Sequence, residues 1–444
     1  MIEDPLLLSA ALVAVMFALL LSGLWIGFSL FATGVIGMLL HKTNLPPTIS
    51  VWDRIGDLMA NSAWNSLNSW ALSALPLFVL MGEILYRTAI SKKLMSGLAP
   101  WLSFIPGRLL HVNVVACSLF AAISGSSAAT TATVGKITYR ELAARGYDKG
   151  LALGSLAGAG TLGFLIPPSL IMIIYGVLAD TSIGQLFIAG IVPGLMIALC
   201  FSGWIVFRVL LNPSLTPRYR ESYTAADRMA AVRDILPVVA LILLVLGGIY
   251  AGLTTPTEAA ALGVLGALCV AAWFRELNWK NLSEAFLAAV KTSTMICFII
   301  AGAAFLSQVV GFIGVARALS SFIAGLELSP YALILVIAIM YAILGMMLDG
   351  ISMVVMTLPI VLPIVVQAGF DPLWFGIFAV IMVELSQITP PVGFSIFVLQ
   401  HISGHEPPFI LRQSFPFFVL LLVVAAVLTV FPQIVHFLPD QMIR

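Results

Sequence analysis

A chain of 444 residues that is 61% hydrophobic and only 9% charged departs far from the roughly 25% charged residues of soluble domains, and reads as an all-α polytopic membrane protein. Its net charge of +1 offers no basic surface for nucleic acid. Four cysteines with no CxxC spacing exclude a disulfide frame or a zinc site, and no G-x4-G-K-[ST] run is present to make ATP the direct driver.

A spanning helix needs about 20 apolar residues. Windows near 6–40, 71–90, 150–178, 185–211, 235–252, 256–274, 286–304, 373–401 and 414–437 supply them, so around ten or more crossings are expected once half-spans are included. The opening run MIEDPLLLSAALVAVMFALLL lacks a basic n-region and an A-x-A site, and is expected to be a retained first helix. Residues 1–70 are read as N-terminal scaffold helices ending in an amphipathic arm. In that arm Val51, Ile55, Leu58, Met59, Ala63 and Leu67 share one helical face, Asp53, Arg54, Asp57 and Asn61 lie elsewhere, and Trp52, Trp64 and Trp70 are interfacial anchors.

Residues 71–211 form the first repeat, with a hairpin at 109–137 and a broken helix at 150–178. The apolar run from Leu109 to Ala122 meets SGSSAATTAT, Ser124 to Thr133, which hydrocarbon cannot solvate and which must pack inside protein or line a wet cavity. An arm of about 14 residues rises only about 21 Å, short of the roughly 30 Å apolar core, so a re-entrant hairpin is predicted. The Pro pair in LGFLIPPSLIM should force Ile166 out of helical geometry and free nearby carbonyls. Residues 212–234, flanked or occupied by Arg208, Arg218, Arg220, Arg228 and Arg233, read as a solvated cytoplasmic linker.

Residues 235–291 hold further scaffold helices and a second arm, Phe274 to Lys291, anchored by Trp273 and Trp279. Residues 292–437 are the second repeat, with a hairpin at 330–367 and a broken helix at 373–401. Its hairpin turns at Asp349-Gly350-Ile351-Ser352, and its helix breaks at Thr389 in LSQITPPVGFS. Cys117, Cys200, Cys269 and Cys297 all lie in apolar windows and read as small buried hydrophobes.

The repeats are tied by register. Gly146, Asp148, Pro167, Pro168 and Pro193 recur as Gly369, Asp371, Pro390, Pro391 and Pro416, each displaced by 223 (146 to 369). The same displacement sets Ser126 opposite Asp349. In the first copy KITYRELAARGYDK is taken as a connecting loop carrying Lys136, Arg140, Arg145 and Lys149; its counterpart, Leu358 to Pro372, has no Lys or Arg. Basic short loops stay cytoplasmic, so the copies are predicted to be inverted repeats.

Oxygen-rich tips facing broken helices suit a hard cation, and exposed half-helix N-termini suit an anion. Of the acidic residues in spans, Glu83 is expected to pair with Arg87 at i,i+4, Asp349 sits at a hairpin tip, and Glu384 is expected to face the second Pro break. An intramembrane enzyme using Ser126 with His111, or a metal held by His401, His405 and Glu406, is the rival class. No GxSxG or HExxH supports it, and Pro407-Pro408 places the histidines beside a loop. A channel is a third class, distinguished by transport without ion coupling.

The runs AAISGSSAATTATVGKI, GYDKGLALGSLAGAGTLGFLIPPSLIMIIYGVLADTSIGQLFIAGIVPG, LGMMLDGISMVVMTLPIVLPIV and ELSQITPPVGFSIFVLQ resemble the large membrane subunit of tripartite ATP-independent periplasmic (TRAP) transporters. The resemblance implies an elevator-type, Na+-driven secondary transporter, not an enzyme, multi-pass in a bacterial inner membrane. It implies an organic acid substrate delivered by a periplasmic solute-binding protein, and a small four-helix membrane subunit expected here as a separate chain. It also maps one sodium site onto Ser124, Gly125, Ser126 and Ser127 with Ile166 and Pro167, and another onto Asp349, Gly350, Thr389, Pro390 and Gly393. Substrate contacts are expected from Ser127, Thr130, Pro168, Ser169, Ser352 and Pro391. The alternative within the same mechanism is a sodium/carboxylate symporter that works without a binding protein.

Overall fold

The computed structural model describes residues 5–41, 50–88, 90–217, 223–314, 318, 329–346, 348–390 and 393–442. Every regular element among them is helical. The first half comprises α1 (Pro5–Leu21), α2 (Ile26–Leu40), α3 (Val51–Leu67), α4 (Ala74–Tyr86), α5 (Ile90–Leu102), α6 (Leu110–Ser124), α7 (Ser127–Ala144), α8 (Lys149–Thr161), α9 (Leu170–Leu178) and α10 (Ile183–Leu211). The second comprises α11 (Ala225–Tyr250), α12 (Pro256–Trp273), α13 (Trp279–Ile313), α14 (Pro330–Gly345), α15 (Gly350–Gln367), α16 (Pro372–Ser386), α17 (Phe394–Ser403) and α18 (Pro407–Val430), followed by the single turn α19 (Gln433–His436). Six of these are long and apolar enough to cross a membrane alone, or seven if the bent pair α3 and α4 is one span. The ten or more crossings expected included half-spans, and six shorter apolar helices of 10–17 residues accompany the long ones among the described residues. The apolar windows are divided into shorter helices, as where the 6–40 window turns at Gly23, whose φ of 84° suits glycine.

The repeat is visible in local chemistry. Ser126 and Asp349 are the N-caps of α7 and α15, each 18 residues long. Asp148 and Asp371 cap α8 and α16 through the third amide of each helix, Leu151 and Trp374. Gly146 and Gly369 both hold the left-handed conformation that ends the preceding arm. These residues form the same structures because capping and positive φ are decided locally.

The copies run in opposite directions. Asp148 donates its amide to the Leu215 carbonyl, just past the C-terminal end of α10. At its other end, the first turn of α10 meets the first turn of α16, with Leu186 packed at Gly376 and the Tyr175 hydroxyl donating to the Pro372 carbonyl. Because α10 has 29 residues, the starts of α8 and α16 are separated by about 43 Å. Helix α8 has 13 residues and α16 has 15, so each reaches its break after about 20 Å, at mid-depth. Both ends of the first hairpin lie beside the linker, where Arg108 donates to the Pro217 carbonyl and the Leu109 amide to the Tyr147 hydroxyl. The hairpin therefore enters and leaves on one side. In the second hairpin the Tyr341 and Thr357 hydroxyls meet at 2.7 Å, eight residues either side of Asp349, and hold its arms antiparallel.

The scaffold helices exchange partners between halves: α2 packs on α13 and α12 on α4. The two arms differ. Helix α3 meets the following segment at a bend of 58°, where Ser69 takes an extended conformation; the equivalent stretch of α13 lacks a proline and continues as helix, so the boundary at 291/292 falls inside one 35-residue helix. On α3, Ile55 is buried while Leu67 faces outward with Trp52, Trp64 and Trp70, and Arg54 turns inward over the Phe312 ring.

Two other boundaries move. The hairpin expected at 109–137 continues to Ala144, because Lys136, Arg140, Glu141 and the two alanines after Leu142 favour helix, whereas its counterpart ends at Gln367. The linker is helical from Ala225, started by a Thr224–Asp227 capping box, while Arg218 and Arg220 lie outside the described residues. Of the cysteines, Cys117 is buried but Cys269 is exposed, on a helix surface that also presents Leu265.

Candidate functional site

The first tip is built from hydroxyls and backbone. Gly125 takes a φ of 59° at the end of α6, turning the chain so that Ser126 can cap α7 by accepting from the Ala129 amide. The Ser126 carbonyl accepts from the Thr130 amide and hydroxyl, at 3.0 and 2.8 Å, and the Ser124 and Thr130 hydroxyls lie 3.0 Å apart. Ser127 is fully buried and donates to the Thr161 carbonyl at 2.6 Å. This cluster of neutral oxygens fits an alkali cation.

The tip rests directly on the helix break. A Cβ on Gly163 would lie 2.6 Å from the Ser126 carbonyl oxygen, and one on Gly125 would lie 2.8 Å from the Pro168 carbonyl oxygen. The Leu170 amide donates to the Gly125 carbonyl. Pro167 and Pro168 have no amide for the carbonyls one turn earlier, so Gly163 and Phe164 cannot complete α-helical bonds there. Ile166 still donates to the Leu162 carbonyl at 3.0 Å, an α-type bond, while Leu165 donates to the same carbonyl at 3.2 Å in a tightened turn. Ser169 then caps α9 by accepting from Met172.

Four helix N-termini meet at this depth. The starts of α7 and α9 join through Gly125 and Leu170; Ile171 of α9 lies against Gly350 of α15; and the Thr131 hydroxyl of α7 is 3.4 Å from the Ser395 hydroxyl of α17. Each N-terminus carries about half a positive charge, so their convergence favours an anion. Sequence reasoning missed Thr131, Thr161, Gly163 and Ser395 because nothing in a single chain pairs residues so far apart.

The second tip is arranged differently. Asp349 is exposed, and its carboxylate accepts from the Ile351 and Ser352 amides and from the Ser352 hydroxyl. Gly350 packs on Val383 and Phe164. Thr389 is occupied within its own turn: its hydroxyl donates to the Leu385 carbonyl and its carbonyl accepts from Gly393. Pro390 and Gly393 line a cavity with Phe397, Pro407 and Leu411, and no hydrogen bond among the described residues links them to Asp349. Pro391 lies outside the described residues. Glu384 does not face the second Pro break; the backbone of Phe164 and Leu165, at the first break, lies against its carboxylate, because the antiparallel halves bring α16 across the turn at 162–164.

The family model for the tripartite ATP-independent periplasmic transporter, DctM component, matches residues 13–434. The chain belongs to that family. A C4-dicarboxylate TRAP transporter large permease protein of Pseudomonas aeruginosa is 34% identical over 86% of this chain and 89% of its own. An ectoine/5-hydroxyectoine large permease protein of Ruegeria pomeroyi is 33% identical over 98% and 99%. An isethionate TRAP transporter permease protein of Oleidesulfovibrio alaskensis is 32% identical over 86% of this chain, which spans 60% of that relative. The YdaH transporter of Alcanivorax borkumensis, with a described unusual topology, superposes at a TM-score of 0.62 over 91% of this chain and 96% of its own at 14% identity, a likeness of fold alone.

A DctM-family chain with several membrane-length helices is a multi-pass protein of the bacterial inner membrane. The relatives named above are transporters or their permease subunits, and the residue pairings of the enzymatic rival are not brought together. His111 sits in the first turn of α6, bonded to the Pro106 carbonyl, while Ser126 lies just past the far end of that 15-residue helix. His405 stacks near Tyr139 and Phe409, and no group of three metal-ligating side chains occurs among the described residues. Glu83 pairs with Arg87, as its spacing predicts, and Arg87 also reaches Glu284 at 3.9 Å.

Proposed function

We propose that this TRAP large permease performs Na+-coupled secondary uptake of an organic acid, C4-dicarboxylate-like or sialic-acid-like, delivered by a periplasmic solute-binding protein. A small four-helix membrane subunit completes the assembly. The observation that carries the reading is the convergence, at mid-depth, of an oxygen-lined hairpin tip, a Pro-broken helix and four helix N-termini from two antiparallel halves. One ion is assigned to Ser124, Gly125, Ser126 and Ser127 with the break at Ile166 and Pro167. The second is assigned to Asp349 and Gly350 with Thr389, Pro390 and Gly393. The anion is assigned to Ser127, Thr130, Pro168, Ser169 and Ser352. Relatives named for C4-dicarboxylate, isethionate and sialic acid transport support the substrate class.

The membrane potential bounds the coupling. Importing a dianion against about 100 mV costs about 4.6 kcal/mol, and two sodium ions cancel that charge. Reversal potentials in proteoliposomes holding the whole transporter are expected to give two or more sodium ions per substrate. A value of one or none rejects the assignment.

The reading includes elevator-type movement of the hairpin-bearing halves against the scaffold. Helix α4 rests on hairpin arm α6, and α13 on hairpin arm α15, so the frame touches both moving parts along helix faces. Cross-links from either arm to a hairpin are expected to stop transport, and full activity in the cross-linked protein contradicts the movement.

A further inference from the structure

Glu384 is fully buried; the Phe164 and Leu165 amides approach its carboxylate from the first break, but neither oxygen forms a well-aligned hydrogen bond among the described residues. No described lysine, arginine or histidine forms an ion pair with it. An isolated ionised carboxylate in such surroundings is prohibitively unfavourable, so something must neutralise it. Its place is particular. It lies 12 residues into α16 (372 to 384), about 18 Å from the helix start and so level with both breaks. The backbone of Phe164 and Leu165 faces it from the other half, and the second hairpin tip meets α16 one residue away, Gly350 on Val383.

The repeat adds a second observation. The displacement of 223 pairs Glu384 with Thr161 and Gly350 with Ser127. In the first half the Ser127 hydroxyl donates to the Thr161 carbonyl; in the second the donor has become glycine and the threonine has become an acid. Packing gains nothing from losing a donor and adding a charge. A cation does.

We propose that the Glu384 carboxylate is the anionic centre of a buried sodium site between the two breaks, separate from the two hairpin-tip ion sites. The proposal rests on the sodium-coupled reading above. In the adjoining turn Pro167 and Pro168 leave the Gly163 and Phe164 carbonyls without α-helical donors.

Equilibrium binding of radioactive sodium alone to the purified membrane complex tests it. Glu384→Gln, which keeps shape and removes charge, is expected to bind one sodium ion fewer than the unmodified protein. Glu384→Asp keeps the charge on a shorter arm and is expected to keep the count with apparent affinity at least about tenfold weaker; it also serves if the Gln variant does not fold. Infrared difference spectra should show no carboxylic-acid C=O stretch from Glu384 at saturating sodium. An unchanged sodium count and affinity in a folded variant, or a carboxylic-acid band that persists at saturating sodium, overturns the site and makes Glu384 a neutral structural acid. Absence of sodium binding to the unmodified complex would instead overturn the sodium-coupled reading itself.

Discussion

Gly163→Ala is expected to weaken sodium dependence by about ten- to a hundredfold, from an overpacking penalty of about 1–3 kcal/mol. The added methyl would meet the backbone of Ser126 and Ser127, with the Ser126 carbonyl carbon at 2.5 Å and its oxygen at 2.6 Å. Backbone cannot rotate aside as a side-chain end can. The tip must withdraw from the break, which strains the Ser127 bond to Thr161 and spreads the oxygens of Ser124, Ser126 and Thr130. Gly203→Ala is the matched control: its Cβ meets nothing within 4 Å, and in mid-helix it should stabilise by about 0.5–1 kcal/mol. Sodium titrations of uptake, with thermal unfolding of both variants, check the pair. Equal half-saturation in Gly163→Ala and unmodified protein would remove the tip-on-break contact from the mechanism.

Asp349 separates structural from ionic roles. Its carboxylate accepts from the Ile351 and Ser352 amides, so Asp349→Ala should lose about 1 kcal/mol of helix capping, whereas Asp349→Asn, an equally good cap, should lose little. Both variants are expected to need about tenfold more sodium for half-maximal uptake, because both remove the negative charge of the proposed second sodium site. Normal sodium dependence in Asp349→Asn would leave Asp349 as a cap alone.

The two positions also show what a sequence displays and what it hides. Ser126, Asp349, Asp148, Asp371, Gly146 and Gly369 were legible because caps and left-handed turns depend on a few neighbouring atoms, and their common displacement carried the repeat with them. The direction of each copy was legible in the charges on one connection and their lack on the other. Glu384 was noticed as a buried acid, but its neighbours come from the opposite half, and helical spacing within α16 points to the wrong break. The repeat register makes the second tip look like a copy of the first. Its Thr389 hydroxyl and carbonyl are instead spent within their own turn, which no periodicity reveals. Helix ends at Ala144 and Ala225 moved because charged helix formers look like loop to hydropathy.

The central claim is that two oppositely directed copies bring their breaks together at mid-membrane. Single cysteines at Lys149 and Asp371, labelled with a membrane-impermeant maleimide in sealed right-side-out vesicles, test it most directly. The start of α8 lies beside the basic linker and the start of α16 at the far end of α10, so position 371 should label from outside and position 149 only after the vesicles are opened. Labelling of both positions from the same side would contradict the account.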